Sequence, residues 1–201
     1  MPLILNTSSI TDNIHVLTKE EFKNSLSNLL LSDIFYNKRI TYTYEEYLKF
    51  IDKVDKNYKV FFEVLYFMGL RQGECLALNW NDIDFKNKTL NICKTLTNKI
   101  KGEIYTISPA KTKSSCRVLP IPERVLNDLK ILYNSAIKYS DFSKDWFIFG
   151  NSMPFKETTV QNRKNKACAL AEVKQIRIHD FRHSCASLLI NKGARIALVS
   201  K

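Results

Sequence analysis

No apolar run in this sequence is long enough to cross a bilayer as a helix. The opening Met-Pro-Leu-Ile-Leu-Asn-Thr-Ser-Ser has neither a basic start nor a long apolar stretch, which excludes a signal peptide. No membrane association is expected, and a reducing cytoplasm fits best. Cysteine is poorly placed for a scaffold. There are five, at 75, 93, 116, 168 and 185, odd in number and without a C-x-x-C pair. That pattern argues against a disulfide framework or a zinc knot. Cys75, in E-C-L-A-L, is expected to be a buried thiol. Histidine is scarcer still, with three residues at 15, 179 and 183. Internal repeats and low-complexity blocks are absent, and no tyrosine follows Tyr139.

What the chain has in excess is positive charge. Its 201 residues carry 31 Lys and Arg against 20 Asp and Glu, a net charge of +11. A field of that sign favours polyanions, with nucleic acid the first candidate, although a solvated lysine-rich surface is an equal reading of composition alone. Hydrophobic residues make up 45%, enough for a proper core.

Residues 1–17 show no clear period and read as a leader or the end of a linker. Thr18-Lys-Glu-Glu21 and Thr43-Tyr-Glu-Glu46 are capping boxes. The first precedes a stripe of Phe22, Leu26, Leu29 and Leu30; the second opens a helix with Tyr47, Phe50, Ile51 and Val54 inward. Residues 58–68 are apolar on most sides and predict a central buried helix, interrupted at Gly69. A short helix is expected around Gln72–Leu78. Four short strands follow: D-I-D-F, T-L-N-I-C-K after an Asn-Lys turn, Ile104–Ser108 and Cys116–Ile121. Helical periodicity returns over 123–139, 158–171 and 179–191, with a stop at Asn191-Lys-Gly193. The fold class is therefore α+β, mainly α, with one small antiparallel sheet.

Three segments carry candidate chemistry. In G-L-R-Q-G-E, Arg71 follows an apolar helix and a glycine, so a tight turn would present its guanidinium fork to two phosphate oxygens. A plain pair with Glu74 at a helix start is as good a reading. In A-K-T-K-S-S-C-R, Lys111, Lys113 and Arg117 crowd a hairpin turn that could contact DNA phosphates, or could simply guard an exposed edge. In H-D-F-R-H-S, His179 and Arg182 lie three apart on one helical face, while Phe181, Cys185 and Leu188 point inward. His179 and His183, four apart, also resemble a zinc pair. That reading lacks a third ligand and puts the Arg182 cation beside the metal. No metal site is expected.

In this order, the three segments resemble the tyrosine recombinase, or phage integrase, family. G-L-R-Q-G-E looks like its first arginine box and W-N-D-I-D-F like the strand that follows. A-K-T-K-S-S-C-R-V-L-P-I-P looks like its catalytic-lysine hairpin, and H-D-F-R-H-S-C-A-S-L-L-I like its His-x-x-Arg box. The resemblance implies the fold of DNA breaking-rejoining enzymes over residues 18–201, with residues 1–17 ending an interdomain linker. It implies a DNA recombination site as partner, a homo-tetramer on DNA, and attack by a tyrosine that leaves a 3′-phosphotyrosine. Arg71 and Arg182 would stabilise charge on the non-bridging oxygens. Lys111, with Lys113 as fallback, would protonate the leaving oxygen, and His179 would bond the phosphate or manage the nucleophile's proton. No cofactor is implied, because fixed cations do that work. The sequence departs from the family after the His-x-x-Arg helix. The third histidine or tryptophan box and the tyrosine are missing, so the expectation is a catalytic domain incomplete at its C-terminus that binds DNA without cleaving it. The alternatives are a non-catalytic DNA-binding or regulatory remnant of the same fold, a type IB topoisomerase-like enzyme and, from the two histidines, a zinc hydrolase.

Overall fold

A computed structural model of the chain describes residues 41–97, 105–109 and 116–192. The first helix of this part, α1 (Tyr44–Lys53), starts at Thr43. The Thr43 hydroxyl accepts from the Glu46 N–H at 3.2 Å, and the Glu46 carboxylate accepts from the Thr43 N–H at 2.8 Å. This reciprocal box satisfies two donors that the first turn leaves without a helical partner. Tyr47, Phe50, Ile51 and Val54 are buried, as their spacing predicts.

The next helix, α2 (Lys56–Met68), is sunk into the core from Val60 to Tyr66. It ends at Gly69, whose left-handed backbone (φ 63°, ψ 30°) donates its N–H to the Leu65 carbonyl at 3.2 Å. An L side chain rarely adopts that conformation, so this abrupt stop favours glycine. After a two-residue turn comes α3 (Gln72–Leu76), then a single 3-10 turn at Trp80–Asp82.

The strands are β1 (Ile83–Asp84), β2 (Thr89–Ile92), β3 (Lys94–Thr97), β4 (Thr106–Pro109) and β5 (Arg117–Pro120). They form two antiparallel ladders rather than the single sheet expected: β1-β2-β5, and the hairpin β3-β4. The chain leaves the first ladder at Cys93 and rejoins it after Cys116. Because Ile92 lies opposite Arg117, the two cysteines come next in register, and the structure joins them as a disulfide. This corrects the reading that nothing in the cysteine pattern suggests a disulfide, while Cys75 is the buried free thiol expected. A sequence separation of 23 residues carries no sign of a contact that only cross-strand register creates.

Three further helices complete the described chain: α4 (Glu123–Ala136), α5 (Glu157–Leu170) and α6 (Asp180–Asn191). The core meets at a triangle of rings from three helices. Phe50, Phe62 and Phe181 lie 5.2–5.4 Å apart, centroid to centroid. Together they tie α6 to α1 and α2. Packing at such distances adds roughly 0.5–1.5 kcal/mol per ring pair beyond the burial itself. The Thr18–Glu21 box, the Phe22 stripe, Ile104, Lys111, Lys113 and Gly193 lie outside the described residues.

Candidate phosphate-binding site

Arg71 is delivered by the stop at Gly69. The turn 69–71 follows the buried α2, and its position is set from the far end of the chain. The guanidinium of Arg182 donates to the Gly69 carbonyl across 113 residues of sequence. One hydrogen bond thus joins the first arginine's turn to the second arginine's helix. Arg182 itself is only 3% exposed. Among the described residues it donates to this backbone carbonyl and not to a carboxylate. Burial, then the charges of Arg71 and Arg117, push its pKa down to about 10. The guanidinium stays charged at neutral pH and sits in a field that favours an added anion.

Glu74 organises the first arginine. Its carboxylate accepts from the Arg71 backbone N–H at 2.9 Å and from Arg71 Nη1 at 2.9 Å. It also accepts both Arg117 terminal nitrogens, at 3.1 and 2.8 Å. Burial alone would raise this carboxyl. The hydrogen bonds and charge of Arg117, followed by those of Arg71, bring its pKa down to about 2. The Arg71 side chain remains 39% exposed, so it can reach a ligand while Glu74 steadies its base. The ion pair and the ligand-facing arginine, two rival readings of the sequence, are compatible here.

Arg117 is a correction. The sequence placed it with Lys111 and Lys113 at a solvent-facing turn that contacts DNA. It is instead the first residue of β5 and is 8% exposed. Alternation along the strand explains this: Arg117 and Leu119 face in, and Val118 faces out. Its guanidinium is forked onto Glu74, so its charge reaches the site through that carboxylate. Sequence reasoning pairs Glu74 with Arg71 but misses its pairing with Arg117. The odd-numbered run Arg117, Leu119, Ile121 was the available signal.

His179 stands exposed at the start of α6. Desolvation by the protein behind it, and then the Arg182 charge, lower its pKa below the ordinary histidine value. At neutral pH the ring is therefore neutral and offers one donor and one acceptor. His183 is buried, 2% exposed, with its ring edge-on to His179 at 5.1 Å. Asp180 is held by Arg177, at 2.7 and 3.0 Å through the side chain and 2.9 Å from the backbone N–H. That pair anchors the helix start that carries His179. The fold thus groups Arg71, Arg182 and His179 electrostatically, with Glu74 and Arg117 behind them.

One carboxylate among three guanidiniums beside an exposed imidazole makes a candidate anion site, on a mainly helical fold with short antiparallel ladders. A family profile described as the phage integrase family matches residues 40–201. The chain belongs to that family. It is 34% identical over 161 residues to the ICEBs1 integrase of Bacillus subtilis, covering 74% of this chain and 42% of that protein. A XerC-like tyrosine recombinase of Caldanaerobacter subterraneus is 28% identical over 162 residues, covering 71% of this chain and 41% of that protein. The chain therefore spans about two fifths of the length of these relatives. Among solved structures, the Tn1549 transposon integrase in complex with a circular intermediate DNA matches with a TM-score of 0.64. That match has 21% identity over 83% of this chain and 59% of that one. XerA recombinase matches at 0.63, with 17% identity over 81% of this chain and 55% of that one. These two show the shared fold.

Proposed function

We propose that this chain supplies part of the catalytic domain of a mobile-element integrase acting in site-specific DNA recombination. Arg71 and Arg182 bind the non-bridging oxygens of one phosphodiester, and His179 hydrogen-bonds the same group. The observation that carries this reading is the Arg182–Gly69 link. It brings a buried arginine, charged at neutral pH, to the turn that presents Arg71.

The chemistry follows from charge. As a nucleophile attacks phosphorus, negative charge grows on the non-bridging oxygens, and two fixed guanidiniums stabilise it without having to reorganise. Glu74 and Arg117 set the angle of Arg71. A lysine of 111–113, Lys111 first, would donate the proton to the leaving 5′-oxygen, and Lys113 would meet the DNA backbone. The partner in this reading is a double-stranded recombination site, engaged by a homo-tetramer of the whole protein in the cytoplasm.

The nucleophile is not among the groups gathered here. Tyr42, Tyr47 and Tyr66 are buried, and burial first of all raises all three phenols well above their ordinary pKa. We infer that these 201 residues bind and polarise the phosphate without cleaving the strand. The same features favour, as a second reading, a non-catalytic DNA-binding protein on the same fold. Incubation with a nicked half-site duplex, followed by a denaturing gel, tests both. Retained salt-sensitive binding with no covalent band supports binding alone. A covalent protein–DNA band overturns it. Equal affinity of wild type and Arg71→Ala removes the phosphate site itself.

A further inference from the structure

The five cysteines divide into two groups. Cys75, Cys168 and Cys185 are buried. Cys93 is half-buried, and Cys116 is exposed. These last two sit at the seam where the chain passes from one ladder to the other. The register Ile92–Arg117 places them next in line, with their Cα atoms 4.3 Å apart and their sulfurs bonded. That separation suits a directly opposed, non-hydrogen-bonded antiparallel pair and falls just under the usual disulfide span. Cys93 Sγ is also 3.1 Å from Asn91 Oδ1, an acceptor ready for its S–H when the pair is reduced. The seam can therefore satisfy either state.

We propose that Cys93 and Cys116 form a reversible, oxidant-responsive disulfide clasp that locks β2 to β5 beside the phosphate site. The reacting partner is a low-molecular-weight disulfide. The exposed Cys116 thiolate attacks one of its sulfurs, forming a mixed disulfide and releasing one small thiol. Cys93 then loses its proton and attacks Cys116 Sγ, which expels the second small thiol. The two protein thiols have given up two electrons, and the small disulfide has become two thiols. The reverse sequence, driven by excess thiol, reopens the clasp.

Position gives the clasp its meaning. Cys116 directly precedes Arg117, whose fork on Glu74 steadies Arg71. Residues 93 and 116 also enclose the sequence that holds Lys111 and Lys113. Closing a loop of this length restricts the unfolded chain far more than the folded one. Selectivity comes from access, because the three other thiols are buried, and burial raises those of Cys75 and Cys185.

The test equilibrates the folded chain with mixtures of oxidised and reduced glutathione. Free thiols are then blocked, and the products are mapped as peptides without reduction. The expected product is one crosslink, Cys93 to Cys116, with Cys75, Cys168 and Cys185 unmodified. Thermal unfolding of this product should occur roughly 5–10 °C above that of the reduced chain. The difference should vanish in Cys93→Ser and Cys116→Ser, and the Cys93→Ser chain should accumulate a mixed disulfide on Cys116. Separate glutathione adducts on both cysteines of the wild type, a crosslink through another cysteine, or an unchanged melting temperature would each overturn the proposal.

Discussion

Glu74 and His179 each lean toward the deprotonated form in the fold. Glu74 has its pKa held down to about 2 in the folded state, against about 4.3 in an unfolded chain. A depressed carboxyl contributes stability above the unfolded value and loses it as pH falls through the folded one. Unfolding followed by circular dichroism should therefore show stability dropping between about pH 4.3 and pH 2. That acid limb should shrink in Glu74→Gln. The same variant leaves Arg117 buried against a neutral partner and should lose about 3–5 kcal/mol at neutral pH. His179 also has a lowered pKa in the free protein. A phosphate beside it stabilises the imidazolium, so its proton resonance should titrate at higher pH once duplex DNA is bound. Affinity should then strengthen as pH falls through the histidine range. An identical titration with and without DNA would take His179 out of the contact. Arg71→Ala should weaken half-site binding by roughly tenfold or more while leaving the circular dichroism spectrum intact.

At the scale of elements, α3 is held against β3 by a missing side chain. A Cβ on Gly73 would meet Thr95 Oγ1 at 2.5 Å and the Leu96 carbonyl at 2.7 Å. The backbone carbonyl cannot step aside, so α3 would have to move and take Glu74 with it. Gly73→Val should cost roughly 1–3 kcal/mol in a urea titration. It should also weaken DNA binding, because the Glu74 fork loses its aim. A capping loss is different in kind. Thr43→Ala should cost about 1 kcal/mol and leave DNA binding unchanged, since α1 carries no site residue.

For the whole molecule, the ring triangle of Phe50, Phe62 and Phe181 supports the site. Phe181 is fully buried between His179 and Arg182 in sequence, so the residue that anchors α6 also sets their height above the core. Phe181→Ala should destabilise the fold by about 3–5 kcal/mol. Net charge acts at the same scale. With +11 on 201 residues, DNA affinity should fall linearly on a log–log plot against salt, with about one unit of slope for each phosphate contacted. Affinity that ignores salt would contradict an electrostatic interface.

Helix α1 with its cap, the buried α2 and the stop at Gly69 were determined by the sequence alone. The reason is local: capping chemistry, a 3.6-residue period and a glycine act within a few residues of one another. Helix α6, by contrast, is buried on nearly every side from Asp180 to Ala186, Arg182 and His183 included, and not on one face. Motif order already set Arg71, His179 and Arg182 together as a candidate site, and the fold brings their charges close enough to act on one another. What only the tertiary structure decided lies between segments distant in sequence. Arg117 turned inward because strand alternation matters more than its charge once Glu74 waits on the other side. The sheet divided in two, and Cys93 met Cys116, because register is a property of two strands and neither contains it alone. The bond from Arg182 to Gly69 spans 113 residues. A periodicity confined to a few turns cannot encode such a contact, and only the packed core could bring its two ends together.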